Sequence, residues 1–227
     1  MLLKKGGNMT IQEAIRARHS VRAYREESIG ADTRRQLDDY ISKINGESGL
    51  HIFVRYGDRE GFDSRLAHYG SFRNVANYIV LAGKKGEDFE QRCGYYGEKA
   101  VLFAQQLGLN TCWAALTFNK KAVRALIPDA ETLCMVIALG YGQSQGNARR
   151  SKKAADVTET GFPADLLPGV EAALLAPTAV NQQKFFFFME DGEPTVKVKG
   201  LGSYSKVDLG IVACHFDAVT GKRIRIK

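Results

Sequence analysis

The chain has 227 residues, 44% of them hydrophobic and 25% charged, which are ordinary values for a globular protein and argue against general disorder. No window of the sequence reaches the roughly 18 consecutive apolar residues that a membrane-spanning helix needs. The formal net charge is +7, and the basic residues concentrate at 16–25 and 149–153, so they suit one phosphorylated small ligand as well as a nucleic acid.

The first nine residues are interpreted as an N-terminal extension that precedes a domain at 10–227. The segment from Lys4 to Gly7 has the sequence expected when a purine-rich ribosome-binding site is translated, so we expect natural synthesis to begin at Met9. We also expect residues 1–8 to add little to the core. The domain has a length that suits one unit or two tightly joined halves, at 10–156 and 157–227.

A helix and an extended segment carry the first basic cluster. Thr10 and Glu13 form a capping box, which predicts a helix that runs to about Arg18. The next residues are expected to be extended, with the side chains at 20, 22 and 24 facing away from those at 21 and 23.

The rest of the chain alternates helices and strands. A second helix is predicted, capped by Asp32 and ending just before Gly46. Strands are predicted at 50–56, 77–83, 133–140, 184–190 and 195–199, helices at 96–107, 120–126, 207–219 and just before Pro177, loops at 110–116 and 140–153, and a basic tail at the end. A hairpin turn joins the last two strands and no G-x-G-x-x-G follows a strand, so the pattern indicates an α+β fold with a mixed or antiparallel sheet rather than a doubly wound parallel one.

Two parts of the sequence are weakly similar to each other. Residues 53–61 are similar to 187–194, and 97–108 to 209–221, in the shared order of strand, loop, helix and terminal glycine. Either the similarity arose by chance or it records an internal duplication. A duplication would let the two halves pack like two subunits, so the protein would be a monomeric pseudo-dimer or a homodimer.

The first basic motif, R-A-R-H-S-V-R-A-Y at 16–24, has a spacing that suits a phosphate group. A phosphate dianion needs several donors, and arginine provides them in a planar fork. Arg18, Ser20 and Arg22 can close around one phosphate. The alternative is a solvated basic surface, because basic runs are common.

The second basic motif, R-R-S-K-K at 149–153, directly follows a buried strand and a glycine-rich loop. Arg150 and Lys152, separated by one residue, can reach the same phosphate from its other side. Taken alone, this motif favours a surface loop or a nucleic-acid patch.

Two further segments offer what a flat heteroaromatic ring requires. In A-P-T-A-V-N-Q-Q at 176–183, Thr178, Asn181 and Gln183 present hydroxyl and amide groups just before an apolar strand. In G-L-N-T-C-W-A-A-L at 108–116, small residues let the backbone approach a ligand, and Trp113 can cover a ring face. The alternatives are a plain helix-to-strand turn and a core tryptophan.

Together these motifs resemble the FMN-dependent nitroreductase superfamily. The motif at 16–24 resembles its FMN-phosphate signature, Y-G-E-x-A…L-G-L-N-T-C-W its helix and loop beside the flavin, L-G-Y-G…R-R-S-K-K its second phosphate-binding loop, and A-P-T-A-V-N-x-Q its A-P-S-x-x-N-x-Q segment. The last of these stands in the final quarter of the chain instead of soon after the first motif. That order is similar to a smaller branch in which one chain looks like a fused, rearranged pair of half-subunits.

The sequence departs from the family pattern near the substrate pocket. Lys184 and Phe185 stand where Pro-Trp is usual, and Ala114 and Ala115 stand where glycines are usual. We expect flavin binding to survive these changes, whereas the substrate pocket should differ.

The resemblance implies an FMN cofactor, NADH or NADPH as co-substrate, and hydride transfer to a small oxidised acceptor such as a nitroaromatic compound or a quinone. It implies that the basic residues and Ser20 hold the phosphate, that the segment after Pro177 meets the ring edge, and that the backbone at 113–115 donates near the hydride-accepting nitrogen. Arg73 is expected near the pyrimidine side of the ring, where a cation stabilises the charge that reduction creates. The implied cofactor-binding set is Arg18, His19, Ser20, Arg22, Arg73, Trp113, Ala114, Ala115, Arg150, Lys152, Pro177, Thr178, Asn181 and Gln183, with no catalytic side chain and no metal ligand assigned.

The cysteines, one histidine and the missing nucleic-acid signature limit the other possible functions. The four cysteines stand alone at 93, 112, 134 and 214, which gives no support to a zinc or iron–sulfur site and suits a reducing cytoplasm. His215 is expected to be a packed helix residue. Two other functions are left open: an FMN-binding protein without turnover or with other flavin chemistry such as reductive dehalogenation, and a basic RNA-binding protein, which lacks support because no aromatic–basic signature is present.

Overall fold

The computed structural model describes residues 9–227, apart from the side chains at positions 66 and 68. The expectations about residues 1–8 therefore lie outside the described part of the chain. None of the helices in the described part combines the length and the apolar character needed to cross a membrane.

Helices and strands alternate along the chain, and three short 3-10 turns connect some of them. The helices are α1 (Ile11–Ala17), α2 (Ala31–Ser48), α3 (Arg65–Tyr69), α4 (Phe89–Gln106), α5 (Lys120–Arg124), α6 (Ala154–Val157), α7 (Leu167–Leu174) and α8 (Ser205–Thr220). The strands are β1 (His51–Tyr56), β2 (Asn77–Gly83), β3 (Asn110–Ala114), β4 (Thr132–Gly140), β5 (Phe185–Glu190), β6 (Glu193–Val198) and β7 (Arg225–Ile226).

The first sheet has four antiparallel strands in the order β1-β2-β4-β3. All seven residues of β2 are buried, because both faces of this sheet are covered. Ile79 and Leu81 point to the face that packs with α2 and α4, whereas Tyr78 and Val80 point to a smaller core on the other face. This alternation follows from the two-residue period of a strand.

The second sheet is smaller and packs against the last helices. Strands β5 and β6 form an antiparallel hairpin, and β7 adds to β6 in parallel. Phe187 of β5 stacks on Phe216 of α8 with ring centroids 5.5 Å apart. The phenylalanine-rich strand β5 therefore contributes to the main core.

Two long helices, α4 and α8, pack against each other at two glycines. A Cβ atom at Gly94 would lie 2.1 Å from the carbonyl oxygen of Val207, and one at Gly210 would lie 2.0 Å from that of Gln91. These distances are far below a normal contact and involve backbone atoms, so only glycine permits this approach. Each helix thus contributes one glycine to the same crossing.

The predicted α+β class with antiparallel sheets flanked by helices is confirmed. The capping box of α1 is also present, since the hydroxyl of Thr10 accepts from the backbone of Glu13 and the Glu13 carboxylate accepts in return. Most predicted elements occur within a few residues of their expected bounds.

Several local predictions are wrong. Helix α2 begins after Gly30 and runs through Gly46 to Ser48, where Gly49 caps it with a left-handed φ of 66°. Asp32 pairs with Arg35 instead of capping the start of the helix. The segment at 110–116 was expected to be a loop, but most of it forms β3, because Thr, Cys and Trp pair with β4 at the sheet edge. Helix α4 begins at Phe89, earlier than predicted, and the basic tail contains the short strand β7.

Candidate functional site

The first basic motif crosses the ends of several elements instead of extending freely into solvent. Ser20 forms a parallel bridge with Thr111 of β3 and Ala23 forms one with Arg73, while Tyr24 forms an antiparallel bridge with Gly142 after β4. The Tyr24 ring is buried, unlike the exposed Arg22, and its hydroxyl donates to the Val21 carbonyl at 2.6 Å. These bridges fix where the side chains of the motif lie.

A cleft of about 530 Å³ opens beside this segment, and we call it the cationic cleft. Its volume lies within the range of small-molecule sites, about 300–1,000 Å³. Its lining includes Ser20, Arg22, Arg73, Ser144, Asn147, Arg149, Pro177, Thr178, Val180 and Asn181. Among its described lining residues, three are arginines and none is an Asp or Glu.

Two arginine side chains at this cleft, Arg18 and Arg149, are only partly compensated by acidic groups and hydrogen-bond acceptors of the described chain. Arg18 lies buried behind it, with Nε 3.8 Å from a carboxylate oxygen of Glu98 and one terminal nitrogen donating to the Leu175 carbonyl at 3.3 Å. Burial, and then the nearby Arg18, lower the pKa of Arg149 to about 10, which still leaves it charged at neutral pH. The Nε atoms of Arg18 and Arg149 are buried and make no hydrogen bond within the described part of the chain. Unsatisfied buried donors of this kind favour an anionic ligand.

A second, narrower cleft of about 120 Å³ adjoins the first, and we call it the apolar slot. The two share Ser20, Arg22, Pro177, Thr178 and Val180, so they form one continuous site. Cys112, Trp113, Ala115, Met135, Ala179, Tyr204, Val207, Asp208 and Ile211 complete the described lining of the slot. The charged end and the apolar end of the site therefore meet at the segment after Pro177.

The backbone of that segment is strained. Val180, Asn181 and Gln183 have positive φ values of 45°, 54° and 44°, which non-glycine residues rarely adopt. The Val180 side chain is 98% exposed and lines both clefts. Such strain tends to occur at binding sites, where the surrounding structure holds it in place.

Asp208 is the residue that holds this strained segment. Its carboxylate accepts from the Ala179 N–H at 3.0 Å and from the Gln182 side chain at 2.7 Å. Burial raises the pKa of Asp208 to about 6, although both hydrogen bonds act in the opposite direction. A carboxyl group that titrates close to neutral pH thus lines the apolar slot.

The site continues beyond the slot into a third cleft of about 740 Å³. Met135, Tyr204 and Val207 line both the slot and this cleft. Tyr204 has a positive φ of 60° and immediately precedes α8. The three clefts therefore run in series from the arginines to the start of α8.

The structure brings most of the predicted site residues together. Ser20, Arg22, Arg73, Pro177, Thr178 and Asn181 line the cationic cleft, and Trp113 and Ala115 line the apolar slot. The two distant basic motifs meet there, since Arg22 of the first and Arg149 of the second both line the cationic cleft.

Other predicted residues lie close by but line none of the described clefts. His19 is half-buried beside Arg149, and burial, Arg18 and Arg149 together lower its pKa. Ala114 is buried in the core, and the Arg150 side chain is exposed. Arg18 supports the cleft from behind instead of lining it.

Gln183 and Lys152 are engaged with each other. Gln183 is buried, its side-chain oxygen accepts from the Lys152 N–H at 2.8 Å, and its amide nitrogen donates to Ser151 and to the Leu174 carbonyl. The Lys152 ammonium donates to the Gln183 carbonyl at 2.7 Å. These two residues therefore anchor the second basic loop to the end of α7, and the prediction that the Gln183 amide meets a ring edge is not supported by this geometry.

Sequence reasoning missed Arg149 and Asp208. Arg149 belongs to the second basic motif, but the sequence does not reveal which residue of an Arg-Arg pair turns inward. Asp208 directly precedes the apolar run of α8, and an acidic residue beside such a run is a usable signal of a buried role. The expectation that His215 is a packed helix residue is confirmed, because it is fully buried in α8.

The fold and the site together define an α+β protein with a pocket for an anionic group next to a slot for an apolar one. A family model described as "Putative TM nitroreductase" matches residues 10–220, so the chain belongs to the nitroreductase family, whose members are oxidoreductases. The resemblance inferred from the motifs is thereby confirmed.

Solved structures show the same fold. A protein described as a "putative nitroreductase" from Thermotoga maritima is 24% identical, with 96% of this chain and 86% of that one covered and a TM-score of 0.67. A "putative nitroreductase in complex with fmn" from Desulfovibrio desulfuricans is 21% identical, with 67% and 98% covered and a TM-score of 0.53. A protein from Bacteroides thetaiotaomicron described as "Putative NADH dehydrogenase/NAD(P)H nitroreductase" is 19% identical, with 67% and 98% covered and a TM-score of 0.54. The comparison with curated proteins gave no match.

Proposed function

We propose that this protein binds FMN and uses NADH or NADPH to reduce a small oxidised acceptor, such as a nitroaromatic compound or a quinone. The observation that carries the proposal is the cationic cleft, which has three arginines and no acidic residue in its described lining and continues into an apolar slot. A phosphorylated flat ring has complementary parts in the same order. Membership of the nitroreductase family and the FMN complex of the Desulfovibrio protein support this reading.

The residues present fit such a cofactor. A phosphate dianion would compensate the unsatisfied Nε atom of Arg149, with Arg22 and Ser20 as further donors, and the buried charge of Arg18 would add to the attraction from behind the cleft. Thr178 stands where the two clefts join and offers a hydroxyl group. Bound FMN would accept hydride from the nicotinamide and pass it to the acceptor.

The chain itself would supply binding, orientation and charge. The Thr111 carbonyl points away from β4 and accepts from the Val21 N–H. Because backbone groups of an antiparallel strand alternate in direction, the backbone of Trp113, two residues later, faces the same unpaired edge of β3, beside the slot. Arg73 in the cationic cleft would stabilise the negative charge that reduction places on the ring. We further propose that the third cleft receives the co-substrate, because it opens directly from the slot.

Anaerobic reduction tests the proposal. The protein is loaded with FMN, mixed with NADH or NADPH without oxygen, and followed by its visible flavin absorbance. We expect the absorbance to bleach within seconds to minutes and to return when a quinone or nitroaromatic compound is added. Stable yellow protein that neither nicotinamide bleaches would contradict the proposed activity and would favour the alternative of an FMN-binding protein with other chemistry.

A further inference from the structure

A buried polar cluster lies behind the apolar slot, at the junction of α4, α8 and β3. Glu98 of α4 is fully buried. One of its carboxylate oxygens accepts from the indole N–H of Trp113 at 2.9 Å, and the other lies 2.8 Å from Nε2 of His215 and 3.8 Å from Nε of Arg18. A single carboxylate therefore contacts a residue of the slot, a residue behind the cationic cleft and a residue of the second long helix.

The hydrogen-bond pattern requires a proton between His215 and Glu98. The Nδ1 atom of His215 lies 2.9 Å from the Ala172 carbonyl, which can only accept, so Nδ1 carries a hydrogen. The 2.8 Å contact on the other side of the ring then needs one more proton, shared between Nε2 and the carboxylate. This second partner satisfies the Glu98 oxygen that Trp113 does not use, as a buried carboxylate requires.

Gly97, the neighbour of Glu98, provides the space for the same tryptophan. A Cβ atom at Gly97 would lie 2.5 Å from Cη2 of Trp113 and 2.9 Å from a methyl carbon of Leu81. The indole ring therefore packs directly on the backbone of α4. Any side chain at position 97 would displace the ring or Leu81.

We propose that Gly97 and Glu98 are positioning residues that fix Trp113 as a wall of the slot. Gly97 sets how closely the indole ring approaches α4, and Glu98 sets its rotation by holding the N–H. This inference rests on the proposed function, because it takes the slot as the place of the flavin ring. It also explains why α4 carries a fully buried carboxylate at this position.

Substitutions of matched size test the two contributions. Glu98→Gln keeps an oxygen that accepts from Trp113 and an amide that donates to a neutral His215, whereas Glu98→Met has a similar size but no acceptor. Gly97→Ala adds a methyl group against Trp113. Its control is Gly46→Ala in α2, where a new Cβ would meet nothing within 4 Å.

Riboflavin is the suitable probe, because it lacks the phosphate and reports on the ring end alone. We expect Glu98→Met to raise its dissociation constant by about tenfold, because an indole ring that Glu98 no longer holds must be immobilised on binding, at about 0.5–1.5 kcal/mol per side chain. Glu98→Gln should stay within about threefold of the wild type, since it restores the acceptor. Gly97→Ala should weaken riboflavin by about tenfold through displacement of the ring, and Gly46→Ala should leave it unchanged.

A second readout does not depend on flavin. Trp113 is the only tryptophan of the chain, so the intrinsic emission of the apoprotein reports on this residue alone. The emission maximum should shift in Glu98→Met and Gly97→Ala but not in Gly46→Ala. If Glu98→Met does not fold, the comparison of Gly97→Ala with Gly46→Ala decides.

The outcomes separate the two proposals. Equal riboflavin affinity and emission in Gly97→Ala and Gly46→Ala, or in Glu98→Met and wild type, would overturn the positioning role while leaving the flavin site intact. A wild-type protein that binds neither FMN nor riboflavin would overturn the proposed function, and this inference with it.

Discussion

Replacement of Arg149 by methionine should have two opposite effects, because this side chain is unfavourable in the free protein and useful in the complex. Methionine keeps the unbranched stem that packs beside the cleft but removes the guanidinium group. We expect the apoprotein to become more stable and the affinity for FMN to fall. A residue with a purely structural role would not give this combination.

The magnitude of each effect follows from the site. Burial, together with Arg18, lowers the pKa of Arg149 to about 10. At 1.36 kcal/mol for each pH unit this corresponds to roughly 3 kcal/mol of unfavourable free energy, and solvent screening of a partly exposed side chain reduces it to about 1–2 kcal/mol. Loss of one charge-assisted hydrogen bond to the phosphate should cost about 1.5–3 kcal/mol, or roughly 10-fold to 150-fold in the dissociation constant.

Arg150→Met is the matched control, because the neighbouring side chain is exposed and lines none of the described clefts. Denaturant unfolding of the apoproteins measures the first effect, and titration with FMN measures the second. The pKa of His19, which Arg149 helps to lower, should rise in Arg149→Met but not in Arg150→Met and can be followed by NMR. An FMN affinity that is unchanged in Arg149→Met, or reduced as much in Arg150→Met, would refute the assignment of the inward-facing arginine.

Three further predictions concern the segments that shape the site. Burial raises the pKa of Asp208 to about 6, so its contribution to stability is present below pH 4 and is lost as the pH rises to 6. The free energy of unfolding of Asp208→Asn, measured relative to that of the wild type, should therefore increase by about 2–3 kcal/mol between pH 4 and 6 and then level off. A difference that does not change with pH would contradict this. Val180→Gly should stabilise the protein by about 0.5–1 kcal/mol in denaturant unfolding, because glycine adopts the φ of 45° without strain, and destabilisation would show that the exposed side chain makes a contact in solution. Gly210→Ala should cost at least about 3 kcal/mol in the same assay, since its Cβ would meet the Gln91 carbonyl oxygen at 2.0 Å, and a loss below about 1 kcal/mol would mean that α4 and α8 can separate easily.

Local sequence patterns were sufficient to predict most of the fold. The capping box of Thr10 and Glu13 places α1, and runs of β-branched and apolar residues place β2 and β4. The hairpin turn between β5 and β6 was enough to indicate antiparallel pairing. These features depend on neighbours in sequence, which is why they are visible without the structure.

Features that depend on distant partners were not predictable. Trp113 lies in a strand because β4 is available to pair with it, not because of its own neighbours. Gly46 does not end α2, because its backbone stays helical and the left-handed capping conformation occurs only at Gly49. The side-chain amide of Gln183 is already hydrogen-bonded to Lys152 and Leu174, which only the folded chain brings near it.

The candidate site shows the same division. The types of residue needed for a phosphate and a flat ring were readable as two basic motifs and two mixed segments. The roles of individual side chains were not readable. Which of Arg149 and Arg150 points into the cleft depends on the hydrogen bond from the Asn181 side chain to the Arg150 carbonyl.

The most direct test of the central claim compares FMN with riboflavin in the wild-type apoprotein, since the two differ only by the phosphate. The cationic cleft should hold that group with at least two charge-assisted hydrogen bonds, so FMN should bind about 100-fold or more tightly than riboflavin, with the difference shrinking at high salt. Equal affinities for the two flavins, or no binding of either, would contradict the claim that this cleft is built for a flavin phosphate.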